Sequence, residues 1–262
     1  MKLLIRSTLL ISLVGGSILG AITSVNQSLS WLSTAPAQAL PLADIQKKLK
    51  TIPVFILTDK SGKEAITVSV QEGNSKQQLG IFFFSPKDAE AVLRELRVQK
   101  PQMSQNAQIK TINLNEAYEL AQQPARNRTE QNIKISFQPS AHEVKKAIQL
   151  LKSRGQKIQQ FNGVPLFYAT KGDNKTLISV EILDEQQRQV EKVVIPVFFS
   201  QQDLEDLLAD MRQQNPQLGS EAKIQITSLD DLVTLMKDSN QSEIQQIVFM
   251  PSTEALEFLR KQ

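Results

Sequence analysis

The stretch SPKDAEAVLRELRVQKPQMSQNAQIKTINLNEAYEL, residues 85–120, occurs in this chain a second time, 115 residues later. The second copy, residues 200–235, reads SQQDLEDLLADMRQQNPQLGSEAKIQITSLDDLVTL. Of the 36 aligned pairs 12 are identical, whereas unrelated stretches of this composition would share roughly two or three. The sequence therefore predicts an internal duplication.

Both copies carry the same signals for secondary structure. Ser85 and Ser200 each follow an apolar run and have an Asp three residues later, which is a capping-box pattern at a helix start. Apolar residues then recur at i, i+3, i+4 and i+7, so that one stripe of the helix faces a core. Pro101 and Pro216 end the two helices, and a short apolar run and a second capped helix follow. The predicted unit is strand, helix, strand, helix.

The duplication continues outward at an offset of 112 residues. Residues 53–58 match residues 165–170, and residues 135–140 match residues 247–252. The change of offset predicts three extra residues in the hairpin of copy two and three in the 122–129 loop of copy one, and loops are where insertions are tolerated. Three strands are predicted before each long helix.

The repeats suggest a domain organisation. Three similar flanking helices serve two repeats, so the middle one is predicted to be shared and to lie near a pseudo-twofold axis. The predicted fold class is α/β (α+β), with two pseudo-twofold-related halves that are each a mixed β-sheet covered by helices on one face. The predicted boundaries are a signal peptide at 1–39, a first repeat half at 40–139, a shared central helix at 140–155 and a second repeat half at 156–262.

The first 39 residues read as a targeting segment. Lys2 and Arg6 form a basic start, residues 9–22 are apolar, and Ala37-Gln38-Ala39 is a small-x-small cleavage site, a pattern typical of an export signal. The alternative is an uncleaved anchor, because residues 7–25 offer about 19 residues without a charge. Cleavage would leave a chain with no predicted transmembrane span and would lower the net charge from +3 to +1, since it removes Lys2 and Arg6.

Residue types needed for catalysis are scarce. The chain has no cysteine and one histidine, His142, so it cannot form the usual nucleophile–base pairs. His142 falls in the first turn of a predicted helix and reads as a solvated residue, and the carboxylates near helix starts are explained by capping and the helix dipole. We predict a protein that is not an enzyme and has no catalytic, cofactor or metal site. Cations interleaved with Glu and Gln also exclude nucleic acid as a partner.

Phenylalanine clusters are the candidate binding feature. Consecutive strand residues point to opposite faces, so the Phe82–Phe84 run cannot enter a core on one side alone. A sheet covered on both faces would bury these rings; otherwise one face is a groove for a partner. Tyr118, on the second helix of copy one, allows the same two interpretations. The candidate partner-binding residues are Phe82, Phe83, Phe84, Phe198, Phe199 and Tyr118.

Several of these motifs, in this order, resemble a known family. They are PVFILT at 53–58 with PLFYAT at 165–170, the entry FFFSPKDA at 82–89, and the helix stops at Pro101 and Pro216. Together they are similar to the twenty-two-kilodalton component of the chloroplast inner-envelope translocon (Tic), in its cyanobacterial form. The resemblance covers essentially all of the chain after the signal segment.

The resemblance implies a fold, a place and a function. The implied fold is two-lobed and butterfly-like with apolar surface pockets, and the implied location is the periplasm or the thylakoid lumen, or the intermembrane space in plastids. The implied role is that of a chaperone or assembly factor in outer-membrane biogenesis and protein transport. Its implied partners are unfolded or translocating clients and the POTRA domains of an Omp85-type assembly protein, with peripheral membrane association. The alternative is a structural scaffold or adaptor between envelope complexes without chaperone activity.

Overall fold

The computed structural model describes residues 5–6, 40–62, 64–72, 75–122, 133–183, 190–216, 221–239 and 242–262. The chain groups into two compact units that do not follow the sequence order at its ends. One unit joins Met1–Ile45 to Pro165–Met250, and the other joins Gln46–Val164 to Pro251–Gln262. We refer to them as the C-repeat unit and the N-repeat unit, after the repeat that supplies the sheet of each.

The first repeat contains the following elements in chain order. They are α1 (Leu42–Leu49), β2 (Pro53–Thr58), β3 (Thr67–Glu72), β4 (Ser75–Phe83), α2 (Pro86–Gln99), α3 (Pro101–Ser104), β5 (Gln108–Asn113), α4 (Leu114–Gln122), β6 (Ile133–Gln138) and α5 (Ala141–Ser153). A two-residue strand, β1 (Ile5–Arg6), precedes them.

The second repeat contains the counterparts of these elements. They are β7 (Pro165–Thr170), β8 (Val180–Leu183), β9 (Val190–Phe198), α6 (Gln201–Gln214), β10 (Lys223–Ser228), α7 (Leu229–Asp238), α8 (Ser242–Gln246), β11 (Ile247–Met250) and α9 (Thr253–Arg260). Most elements begin at the offset of 112 or 115 residues that the sequence comparison predicts.

The two sheets have the same strand order and the same register. In the N-repeat unit the order is β3-β4-β2-β5, with β6 parallel to β4; in the C-repeat unit it is β8-β9-β7-β10, with β11 parallel to β9 and with β1 added beside β8. Pro53 pairs with Asn113 and Pro165 with Ser228, so the two antiparallel registers coincide once each offset is applied. The duplicated mixed-sheet fold predicted from the sequence is confirmed.

Side-chain caps start the helices where the sequence predicts them. Ser85 Oγ accepts a hydrogen bond from the Asp88 amide at 3.2 Å, and Ser200 Oγ accepts one from the Asp203 amide at 3.2 Å. Ser228 repeats the arrangement with the Asp231 amide at 3.0 Å. Such a cap satisfies one of the backbone donors that a helix leaves unpaired at its start.

Helices cover both faces of the N-repeat sheet, which differs from the one-sided cover that we predicted. Leu93 of α2 and Ala255 of α9 pack on the face that carries Phe55 and Phe83. Tyr118 of α4 contacts the opposite face, which carries Phe137. The central strand β2 is buried along its whole length, because each of its faces meets a helix layer.

The predicted signal segment, residues 1–39, lies outside the described residues except for Ile5–Arg6. These two residues pair with Ile182 and Glu181 of β8, although we predicted that the whole segment lies outside the fold. An edge strand such as β8 presents unpaired backbone groups, to which an extended segment can bind. Among the helices that the structure describes, none has both the length and the hydropathy needed to cross a bilayer.

Candidate functional site

The five predicted phenylalanines lie in the interior of the two units. The exposed fractions of Phe82, Phe83 and Phe84 are 1, 3 and 7%, and those of Phe198 and Phe199 are 6 and 7%. These values correspond to the interpretation in which the sheet is covered on both faces. A partner could reach the rings only if the unit opened, so their role in binding stays a prediction.

Strand alternation divides the first phenylalanine run between two faces. Phe83 pairs with Phe55 on the face that contacts α2 and α9. Phe82 pairs with Phe137 of the parallel strand β6, and Phe84, two residues beyond Phe82, contacts the same ring. The second face therefore collects aromatic rings from different parts of the first repeat.

These rings form a cluster around Phe137. Its ring centroid lies 4.9 Å from that of Tyr118, 5.8 Å from that of Phe82 and 6.3 Å from that of Phe84. Distances of this size are typical of favourable aromatic pairs. We call Phe82, Phe84, Tyr118 and Phe137 the aromatic cluster.

The members of the aromatic cluster differ in their exposure to solvent. Phe82 and Phe84 are buried, whereas Tyr118 and Phe137 are half-buried. The helix α4 positions Tyr118. Leu114 and Ala117 on the same helix are fully buried and determine which face of α4 packs against the sheet. The cluster therefore presents two partly accessible rings on a buried aromatic base, an arrangement that suits apolar side chains of another polypeptide.

The second repeat lacks this accessible pair. The counterparts of Phe82 and Tyr118 are Val197 and Val233, and the rings of Phe199 and Phe249 lie 6.0 Å apart. Phe249, the counterpart of Phe137, has an exposed fraction of 2%, so this ring is not accessible in the second repeat. The two repeats share a fold, but the candidate binding feature belongs to the first one.

Sequence reasoning missed Phe137 as a site residue. The segment 135–140 was identified only as part of the duplication, although Phe137 is an isolated aromatic residue in an alternating strand. Its importance depends on the parallel pairing of β6 with β4, which connects residues more than 50 positions apart. Sequence spacing does not encode that pairing.

The ionisable residues singled out in the sequence lie at helix starts. His142 is exposed in the first turn of α5, as predicted. Asp88 Oδ2 accepts a hydrogen bond from the Ala141 amide at 2.9 Å, so this carboxylate holds the start of α5. No group of three His, Cys, Asp or Glu side chains in this part of the chain could hold a metal ion.

A charged contact at the surface connects α9 to α2 within the N-repeat unit. Glu254 Oε1 accepts a hydrogen bond from Ser85 Oγ at 2.8 Å, and Glu254 Oε2 lies 2.8 Å from Lys87 Nζ. Burial by itself would raise the pKa of Glu254, but the hydrogen bonds from Lys87 and Ser85 outweigh burial and leave that pKa below its ordinary value. The contact joins the first turns of the two helices.

Comparison with known proteins identifies relatives along nearly the whole chain. A family model described as the Tic22-like family matches residues 7–261. Protein TIC 22-like, chloroplastic, of Arabidopsis thaliana is 26% identical over 211 residues, which are 79% of this chain and 60% of that protein. Protein TIC 22, chloroplastic, of Pisum sativum is 27% identical over 221 residues, or 83% of this chain and 77% of that protein. This chain thus spans about three fifths of the first relative.

Two solved structures share the fold. The Tic22 structure from Anabaena, a protein of protein transport, superposes with a TM-score of 0.69 at 24% identity, covering 85% of this chain and 98% of that one. The Tic22 structure from Plasmodium falciparum superposes with a TM-score of 0.61 at 23% identity, covering 83% and 96%. At these identities the likeness establishes the architecture alone.

Proposed function

The chain belongs to the Tic22-like family, and from this premise we propose that it is a non-enzymatic factor of protein transport that binds unfolded or translocating polypeptides through its aromatic cluster. It would escort outer-membrane or translocated clients and deliver them to the POTRA domains of an Omp85-type assembly protein. The observation that carries the proposal is the half-buried pair Tyr118 and Phe137, whose centroids lie 4.9 Å apart.

The chemistry of the cluster favours a polypeptide as the ligand. Two partly accessible aromatic rings offer dispersion contacts to apolar side chains without demanding a particular sequence. Client binding of this kind needs neither a metal nor an acid–base pair. The carboxylates Asp88 and Glu254, which lie near helix starts, are already engaged with backbone and side-chain donors.

The location that we propose follows from the signal segment and the relatives. The amino-terminal pattern predicts export, and the plant relatives carry chloroplastic names. For a bacterial form these two observations favour the periplasm or the thylakoid lumen, with peripheral association to a membrane.

The proposal predicts the effect of changing the accessible rings. We expect Tyr118→Gln combined with Phe137→Gln to reduce suppression of aggregation of an unfolded outer-membrane protein by about fivefold, because the variant loses the apolar contact area on which client binding depends. Light scattering of the diluted client at increasing ratios of the mature chain would measure this.

Val98→Gln is the matched control. Val98 is 83% exposed on α2 and lies outside the aromatic cluster, so its change should leave suppression unaltered. Circular dichroism and thermal unfolding would confirm that both variants are folded. Full protection by the folded double variant would contradict the proposal, and a parent chain that binds POTRA domains but protects no client would favour the scaffold function.

A further inference from the structure

Although cations are interleaved with Glu and Gln along most of the chain, α5 and the residues that follow it carry a concentration of positive charge. Residues 140–157 contain five Lys or Arg side chains and one carboxylate, a net charge of +4, whereas the whole chain carries +3 and the other residues therefore sum to −1. Lys145, Lys152, Arg154 and Lys157 are exposed, and Lys146 is half-buried beside them. We call these five residues the basic stripe.

The helical period places Lys145 and Lys152 of the basic stripe on the same face of α5. Lys145 and Lys152 are seven residues apart, so their Cα atoms lie about 10 Å from each other along the same side of α5. Ala147 and Leu151, with exposed fractions of 0 and 5%, mark the buried side of the helix. The charged side is thus a solvated face opposite a well-packed one.

The lysines of the stripe are not neutralised by neighbouring groups. Lys145, Lys146, Lys152 and Lys157 form no ion pair within the described part of the chain. The one carboxylate of the segment, Glu143, has an exposed fraction of 8% and points away from the solvated side. Asp88 of α2, which lies beside the start of α5, accepts a hydrogen bond from the Ala141 amide.

The duplication provides an internal comparison for this charge. The counterpart of Lys145 in α9 is Glu257, so the second repeat carries a carboxylate where the basic stripe carries this lysine. Both helices start with the same serine cap. The fold therefore does not require positive charge at the position of Lys145.

We propose that the basic stripe binds an acidic segment of a partner protein. No large apolar side chain is exposed between residues 139 and 164, whereas helices that enter a bilayer surface present apolar residues next to their cations. A row of cations without apolar neighbours is complementary to carboxylates presented by another polypeptide. The stripe shares no residue with the aromatic cluster, so either proposal can fail without the other.

Fluorescence anisotropy with a labelled deca-glutamate peptide tests the proposal on the mature chain. We expect saturable binding at about 20 mM salt that weakens at about 150 mM salt, as screening requires. The variant Lys145→Glu with Lys152→Glu should bind at least about tenfold more weakly. The control variant Lys100→Glu with Lys237→Glu, which changes two exposed lysines outside the stripe and alters the net charge equally, should stay within about twofold of the parent.

Two further probes distinguish the class of partner. Vesicles of phosphatidylcholine with about one third phosphatidylglycerol and a single-stranded oligonucleotide would be tested at the same charge concentration. Tighter binding of either probe than of the peptide would overturn the assignment to an acidic protein segment. So would equal losses in the stripe variant and the control variant, because the effect would then be one of net charge.

Discussion

At the scale of single residues, one hydroxyl group shows how the repeats have diverged. Thr58 and Thr170 end equivalent strands and are both buried. Thr170 Oγ1 accepts a hydrogen bond from Gln225 Nε2 at 3.0 Å, but Thr58 Oγ1 has no partner within the described residues. The residue equivalent to Gln225 is Lys110, which instead donates to the Gly62 carbonyl at 2.9 Å. A buried hydroxyl without a partner costs free energy of folding.

We predict that Lys110→Gln raises the free energy of unfolding by about 0.5–1 kcal/mol, because the new amide can donate to Thr58 Oγ1 as Gln225 does to Thr170. Urea unfolding followed by circular dichroism would measure the change. The reciprocal variant Gln225→Lys should lower the free energy by about 1–2 kcal/mol, since it removes the donor from a buried hydroxyl. If Lys110→Gln gave no gain in the free energy of unfolding and Gln225→Lys gave no loss, the two hydroxyl environments would not differ as proposed.

At the scale of elements, the chain places a charged contact where two helices begin. Lys87, in the first turn of α2, meets Glu254, in the first turn of α9, and the two residues are 167 positions apart. The hydrogen bond and charge of Glu254 raise the pKa of Lys87. The Lys87 side chain is 76% exposed, so solvent screens much of this interaction. The contact fixes the position of α9 more than it adds to total stability.

The pKa shifts predict how the contribution of Glu254 depends on pH. Because the pKa of Glu254 is lowered from 4.5 by folding, its stabilisation is fully present above that ordinary value and is lost as pH falls through the lower folded value. Because the pKa of Lys87 is raised from 10.5, the contribution of the lysine is present below 10.5 and is lost at higher pH. We expect Glu254→Gln to cost about 1 kcal/mol at pH 7 and less at an acidic pH below 4.5.

Chemical unfolding at the two pH values would test this expectation. Glu257→Gln is the control, because Glu257 is exposed on the same helix and makes no hydrogen bond in the described structure. An equal cost of Glu254→Gln at both pH values would mean that ionisation of the carboxylate contributes nothing.

At the scale of the whole molecule, each terminal segment belongs to the unit formed by the other repeat and not to the unit of the repeat next to it in the sequence. Pro251–Gln262 follows the second repeat but completes the N-repeat unit. There Ala255 and Phe258 of α9 pack on the core, and the Phe258 ring meets the Phe55 ring edge-on at a centroid distance of 5.2 Å. An eight-residue helix is marginal alone, so this packing is what stabilises α9.

Removal of residues 251–262 should therefore loosen the N-repeat unit. We expect faster amide exchange in residues 46–164 and smaller changes in residues 165–250, measured by hydrogen–deuterium exchange with mass spectrometry. The milder variant Phe258→Ala should lower the free energy of unfolding by about 2 kcal/mol, less than for a fully buried ring because Phe258 is half-buried. Loss of protection confined to residues 221–250 would contradict this assignment of α9.

The candidate site was only partly predictable from the sequence. The sequence offers Tyr118 as a candidate, although its place on a helical stripe favours core packing, and the burial of Phe82 and Phe84 agrees with one of the two interpretations of the phenylalanine run. Phe137 could not be ranked, because its role depends on which strand lies beside β4. The fold brings together the rings of residues 82, 84, 118 and 137. Their proximity results from the strand order and not from their spacing in the sequence.

The sequence by itself determined the duplication, the repeated elements and the helix starts. The repeated elements and the helix starts depend on contacts between residues close in the chain, such as Ser85 with the Asp88 amide. Local propensity is sufficient to specify such contacts. Only the tertiary structure decided that α9 completes the N-repeat unit and that Phe137 lies beside Phe82. The hydrophobic effect is non-directional, so apolar side chains gain free energy of burial from any segment that fills the space beside them. Which segment packs there depends on the close packing of the whole fold.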